Sequence, residues 1–249
     1  MRLQLTKSAV ACLGRSVLAG LGLWGAAAHG LTISPVLVEL SSARRVASIT
    51  ITNPGDRPLS FQTQVRGWSQ PNGTDVYADT TQLFVAPPIA EIAAGGSQIF
   101  RVTTRNRPSA DEQAYRLIFE DVSEVFASSV PTGETSISIR VNHDLPVFLA
   151  AAGTLRLQSR LGPCANATTL PATTGCVRLD NEGSRYLRVK SLTLESGNWR
   201  KDFNVATRVL AGAWREWTFE QPTQLTGSLR VRAETSDGPV TFEWPIPPR

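Results

Sequence analysis

Residues 46–57 read Val46-Ala47-Ser48-Ile49-Thr50-Ile51-Thr52-Asn53-Pro54-Gly55-Asp56-Arg57, and their pattern governs the reading of the whole chain. Apolar and polar residues alternate up to Thr52, the period of a half-buried strand. Asn53-Pro54-Gly55-Asp56 then stops the strand with the residue types that tight turns require, and an apolar run resumes at Leu59. The same order returns later. Val177-Arg178-Leu179-Asp180 leads into Asn181-Glu182-Gly183-Ser184-Arg185 and then into the apolar run Tyr186 to Leu194. Both are strand, Asn-x-Gly-x-Arg turn, strand, which suggests one hairpin used near the start of two similar sandwiches. Asn and Gly recur in turns for steric reasons anyway, so the echo is a short one.

Working outward, further strand-like runs cover Leu31 to Leu40, Leu59 to Val65, Ile99 to Thr103 and Tyr115 to Val122. The first of these should change face at Pro35. Asn72-Gly73, Gly95-Gly96 and Asp237-Gly238 supply turns between runs. No amphipathic helix of two turns or more is legible beyond residue 30. Short strands at this spacing predict an all-β chain built of sandwiches. The small-residue stretch Ala150-Ala151-Ala152-Gly153 suits a linker, so one sandwich is expected at 31–149 and a second at 154–249. At 249 residues, the chain is long enough for two cores.

The formal charge is +4, and 22 of the 25 basic residues are Arg. A sequence pI near 9.3 would suggest nucleic acid or an anionic membrane as partner. The location of the charges argues otherwise. The N-terminus carries Arg2, Lys7 and Arg15 without an acid, a short apolar run from Val17 to Trp24, and Ala26-Ala27-Ala28. That is the layout of a secretory signal peptide at 1–28, with cleavage expected after Ala28. The remainder keeps 22 basic and 21 acidic residues, so neither nucleic acid nor membrane insertion is expected of it. Beyond the signal only Cys164 and Cys176 remain, twelve positions apart, and in an exported chain they should form one disulfide.

The inventory for chemistry is thin. His143, beside Asp144, is the one histidine beyond the cleavage region, and no nucleophile elbow, phosphate loop, dinucleotide fingerprint or metal-ligand cluster accompanies it. No catalytic residue, metal site or cofactor is assigned. A sharper signal is Ser136-Ile137-Ser138-Ile139-Arg140-Val141, which follows a long connection from Ser123 to Glu134. Ile137, Ile139 and Val141 share one face. They either face the core of their own sandwich or are lent to a partner by strand addition at a sheet edge, and by pattern alone the first reading is the better one.

Several segments in register resemble the PapD-like periplasmic chaperones of chaperone–usher pilus assembly, and among them the archaic, spore-coat-U-type branch. They are Leu31-Thr32-Ile33-Ser34-Pro35-Val36, Ile51-Thr52-Asn53-Pro54-Gly55-Asp56, Trp68-Ser69-Gln70, Phe84-Val85-Ala86-Pro87-Pro88, Gln98-Ile99-Phe100-Arg101-Val102, Glu112-Gln113-Ala114-Tyr115-Arg116-Leu117 and Leu145-Pro146-Val147-Phe148. In the second half, Val209-Leu210-Ala211-Gly212 resembles the family's late glycine turn.

The resemblance implies two immunoglobulin-like β-sandwich domains set at an angle, in an L. It implies a periplasmic location, pilin or fimbrial subunits as clients and an outer-membrane usher as acceptor. It also implies a mechanism without nucleotide, in which Ile137, Ile139 and Val141 complete a subunit that lacks its own last strand. Other branches carry cations on the first strand and the donor strand that grip the subunit's C-terminal carboxylate. The corresponding stretches here, Pro35-Val36-Leu37-Val38 and Leu145-Pro146-Val147, have none. Arg101 and Arg116, expected on neighbouring strands, are the candidates to replace them, unless an internal pair with Glu112, Glu120 or Asp121 engages them. The alternative to a chaperone is a secreted immunoglobulin-like adhesin or structural surface subunit.

Overall fold

The computed structural model describes residues 30–123, 140–154, 156–165, 169–171, 173–221 and 227–245. The expected signal peptide lies outside them, as do Ile137 and Ile139. The first ten strands are β1 (Thr32–Ser34), β2 (Val38–Leu40), β3 (Val46–Thr52), β4 (Leu59–Ser69), β5 (Val76–Asp79), β6 (Leu83–Ala86), β7 (Ile89–Ile92), β8 (Ser97–Thr104), β9 (Gln113–Asp121) and β10 (His143–Leu149). They form two sheets, ordered β1-β3-β8-β6 and β2-β10-β9-β4-β5, with β7 also paired to β4. Alternation does the sorting, as at Ile49, Ile51, Phe100 and Val102 from one sheet and Phe61, Leu117, Phe119 and Val147 from the other, all buried in one core. The chain changes sheets between β1 and β2, at Pro35, as its pattern predicts.

Eight further strands follow: β11 (Ser159–Pro163), β12 (Thr174–Asn181), β13 (Leu187–Ser196), β14 (Trp199–Phe203), β15 (Thr207–Val209), β16 (Trp214–Glu220), β17 (Ser228–Thr235) and β18 (Gly238–Pro245). Their sheets run β11-β12-β16 and β14-β13-β17-β18, with β15 beside β13. They enclose a separate core around Leu179, Val189, Leu192, Leu194, Val209 and Val231. Cys164 and Cys176 are joined as a disulfide at the edge of this sandwich, their Cα atoms 5.6 Å apart. A short 3-10 turn lies at Pro71–Gly73.

The echo between the halves is structural. The Asn53 side-chain amide donates to the carbonyls of Arg57 at 2.7 Å and Ile92 at 3.1 Å, and its oxygen accepts from the Gly55 amide at 3.1 Å. Asn181 donates to the carbonyls of Arg185 at 2.8 Å and Val209 at 2.9 Å, and accepts from the Gly183 amide at 3.0 Å. Each asparagine is buried and ties its turn to a distant strand end. Glycine is required at Gly183 because a Cβ there would come within 2.8 Å of the Arg156 carbonyl.

Candidate functional site: an open strand edge beside the junction of the sandwiches

β10 is central to one sheet only for part of its length. It pairs with β9 from His143 to Leu149, but with β2 only from Val147 to Leu149. On the β2 side, the stretch from His143 to Pro146 therefore presents an edge that no described strand covers. An open depression of about 550 Å³ lies there, lined by Leu31, Ile33, Val36, Asn142, His143 and Leu145 among others. Val36 is 66% exposed and Val141 54% exposed. Such apolar exposure along an unpaired edge is what proteins ordinarily avoid. Of the three aliphatics singled out in the sequence, Val141 is thus turned to solvent at the base of β10. His143 sets its ring edge-on against Phe61, with centroids 6.3 Å apart, a packing role.

The two arginines are not brought together. Arg101 lies on β8 and Arg116 on β9, strands consecutive in the chain but in different sheets. Their neighbours Phe100, Val102, Tyr115 and Leu117 fill the core between the sheets, so the two arginines point away from opposite faces. The expectation of neighbouring strands fails because alternation fixes a residue's face within its strand and is silent on which sheet the strand joins. Arg116 stands directly opposite Pro146 in the β9–β10 register, in the stretch Leu145-Pro146-Val147 that lacks a cation of its own. Its Nε donates to Asp144 Oδ1 at 2.7 Å rather than to Glu112, Glu120 or Asp121, and its guanidinium lies 5.0 Å over the Trp68 ring. On the other side of Arg116, β4 places Arg66 in register, itself paired with Asp79. Sequence reasoning missed Arg66. The alternation Arg66-Gly67-Trp68 puts it on the Trp68 face, but only the strand register sets it beside Arg116.

From Trp68 the surface runs into the second sandwich. Trp68, Phe148 and Leu210 form a small buried cluster, and Phe148 stacks on Tyr186 at 4.1 Å. Polar contacts fix the same junction. Gln70 Nε2 donates to the Arg208 carbonyl at 3.0 Å, while Gln70 Oε1 accepts from the Leu210 amide at 2.8 Å. Asp75 Oδ2 accepts from Arg215 at 2.6 Å, and Arg215 Nη1 donates to the Gly73 carbonyl at 2.8 Å. Gly73 has φ +73°, and a Cβ on it would come within 2.4 Å of the Trp214 ring, so the turn fits only as glycine. Burial acts to raise the Asp75 carboxyl. The bonds from Gln70, Trp68 and Arg215 outweigh it and hold the group below its usual range.

Among solved structures, the chain is similar to one in the CsuC–CsuE chaperone–tip adhesion subunit pre-assembly complex from archaic chaperone–usher Csu pili of Acinetobacter baumannii. The identity is 19% and the TM-score 0.62, over 86% of this chain and 97% of that one. The class 5 fimbriae chaperone CfaA matches at 14% identity and TM-score 0.57, over 88% and 100%. A chain from the Salmonella enterica SafA pilin–SafB chaperone complex matches at 15% and 0.55, over 86% and 96%. These likenesses show the two-sandwich fold. No curated protein matches by sequence. The profile of the pili and flagellar-assembly chaperone family, PapD N-terminal domain, matches residues 30–154, which contain β1 to β10 and the open edge. The chain belongs to the PapD-type pili and flagellar-assembly chaperone family.

Proposed function

We propose that this protein is an exported, non-enzymatic chaperone that caps fimbrial subunits by donor-strand complementation and hands them to an outer-membrane usher. The observation that carries this reading is the β10 edge, uncovered from His143 to Pro146 and continuous in sequence with Val141, Ile139 and Ile137. A subunit lacking its last strand has an apolar groove and unpaired backbone groups. An added strand satisfies the backbone and fills alternate pockets with the three aliphatics. Their burial contributes roughly 5–9 kcal/mol before ordering costs. Family membership favours a chaperone over an adhesin or structural surface subunit.

Of the two arginines, Arg116 suits the subunit's terminal carboxylate, since it lies across from Pro146 on the donor strand. Asp144 holds its guanidinium in place in the free chaperone, and a fork of donors remains to engage a second carboxylate. Arg101, on the far face, is out of reach of the same group. The disulfide agrees with export to an oxidising compartment. A structure of the complex with a client subunit tests the reading. Residues 136–141 should run along the client's groove with its C-terminus at Arg116, and a client seated on the β8 face would contradict this.

A further inference from the structure

Glu112 enters the junction of the sandwiches bonded to backbone, with no ion pair to it among the described residues. It precedes β9, and it meets the turn Ser184–Tyr186 of the second sandwich by two bonds. Its amide donates to the Ser184 carbonyl at 2.9 Å, and its Oε1 accepts from the Tyr186 amide at 2.8 Å. Beside it opens a cavity of about 410 Å³, lined by Glu39, Arg44, Phe148, the linker residues Ala150, Ala151 and Gly153, and Arg185. The charged groups around it pull in both directions. Glu39, on β2, is a like charge. Arg185 shares the cavity and draws the group down, although its Nη2 is paired with Asp237, and Arg44 donates to the Glu39 carbonyl. The Arg208 guanidinium lies 5.8 Å over the centroid of the Tyr186 ring. Asp111, next in the chain, is paired with Arg156 at 2.7 Å.

A carboxylate held there is buried with one backbone N–H, the like charge of Glu39 and the partly offsetting charge of Arg185, and burial outweighs the rest, so ionisation favours any movement that lets water in. We propose that the junction between the two sandwiches is a proton-sensitive hinge, closed on a protonated Glu112 and loosened when that side chain ionises. Burial, with Glu39 adding to it, outweighs the Tyr186 bond and the Arg185 charge and pushes the Glu112 carboxyl up to about 7. A junction opened to water would return it to its ordinary 4.5. The sign follows from linkage. A group whose value is raised in the closed state stabilises that state fully below the ordinary value, and the contribution is lost as pH rises through the raised one. This inference concerns the free chain and does not depend on which partner the chaperone carries.

Amide hydrogen exchange on the full chain, corrected for intrinsic rates, tests it between pH 5 and 8.5. The open fraction reported by the Tyr186 amide should rise on the order of tenfold or more between pH 5 and 7.5 and then level off. Amides inside the sandwiches, such as that of Leu117, should not follow. Glu112→Gln, which keeps an acceptor for Tyr186 without a titrating proton, should flatten the profile. An unchanged wild-type profile, or the same rise in Glu112→Gln, overturns the proposal. Should that variant fold poorly, the 13C shift of the Glu112 carboxyl in the wild-type chain decides. A midpoint near 7 supports the hinge, and one near 4.5 overturns it.

Discussion

Asn181 repeats, in the second sandwich, the bonding of Asn53 in the first. Each side-chain amide reaches the carbonyl four residues ahead and a distant strand end, Ile92 for Asn53 and Val209 for Asn181, and each oxygen holds the amide two residues on. Replacing either by Ala leaves buried backbone groups without partners. Each should cost about 2–4 kcal/mol. The two losses should be nearly additive because the residues serve separate cores. Urea unfolding followed separately by probes in each sandwich checks this; equal loss of both sandwiches from one substitution would contradict it.

The Asp75–Arg215 pair makes a second expectation about the junction. Because the Asp75 carboxyl is held below its ordinary 3.8, its contribution is present above that value and is lost as pH falls through the lowered one. Asp75→Asn should loosen the contact of Gly73 with Trp214 while leaving both cores intact. Trp fluorescence should shift at a lower denaturant concentration than the loss of strand signal, and coincident transitions would count against it.

Removing the disulfide by Cys164→Ser and Cys176→Ser should destabilise the second sandwich alone, by about 3 kcal/mol on the chain-entropy argument. Calorimetry should show the transition of the second sandwich lowered and that of the first unmoved.

Arg116→Ala should weaken capture of a groove-bearing fimbrial subunit by roughly tenfold or more, the scale of one lost charge-assisted contact. Arg101→Ala should leave capture unchanged. The reverse order would place the carboxylate on the other face of the sandwich.

Much of this architecture was legible in the residues. Alternation and turn chemistry placed β3, β4, β8 and β9, the face change at Pro35 and the two-sandwich plan. The Asn-x-Gly-x-Arg echo was visible as a turn. Its clamp was not, because the receiving carbonyls of Ile92 and Val209 lie about thirty or more residues away. Arg101 and Arg116 show the limit most clearly, since pattern assigns a face within a strand and strand order assigns the sheet. Arg66 beside Arg116, and Glu112 under the Ser184–Tyr186 turn, follow from register and from contact between the sandwiches. No local period carries either one.

The measurement closest to the central claim is recovery of a strand-deficient fimbrial subunit, co-expressed in the periplasm, with chaperone carrying Ile137→Asp and Ile139→Asp. Both positions lie outside the described residues. Strand donation predicts a chaperone that remains folded, by its thermal transition, and recovers no subunit. Normal recovery of the subunit with the doubly substituted chaperone would contradict strand donation.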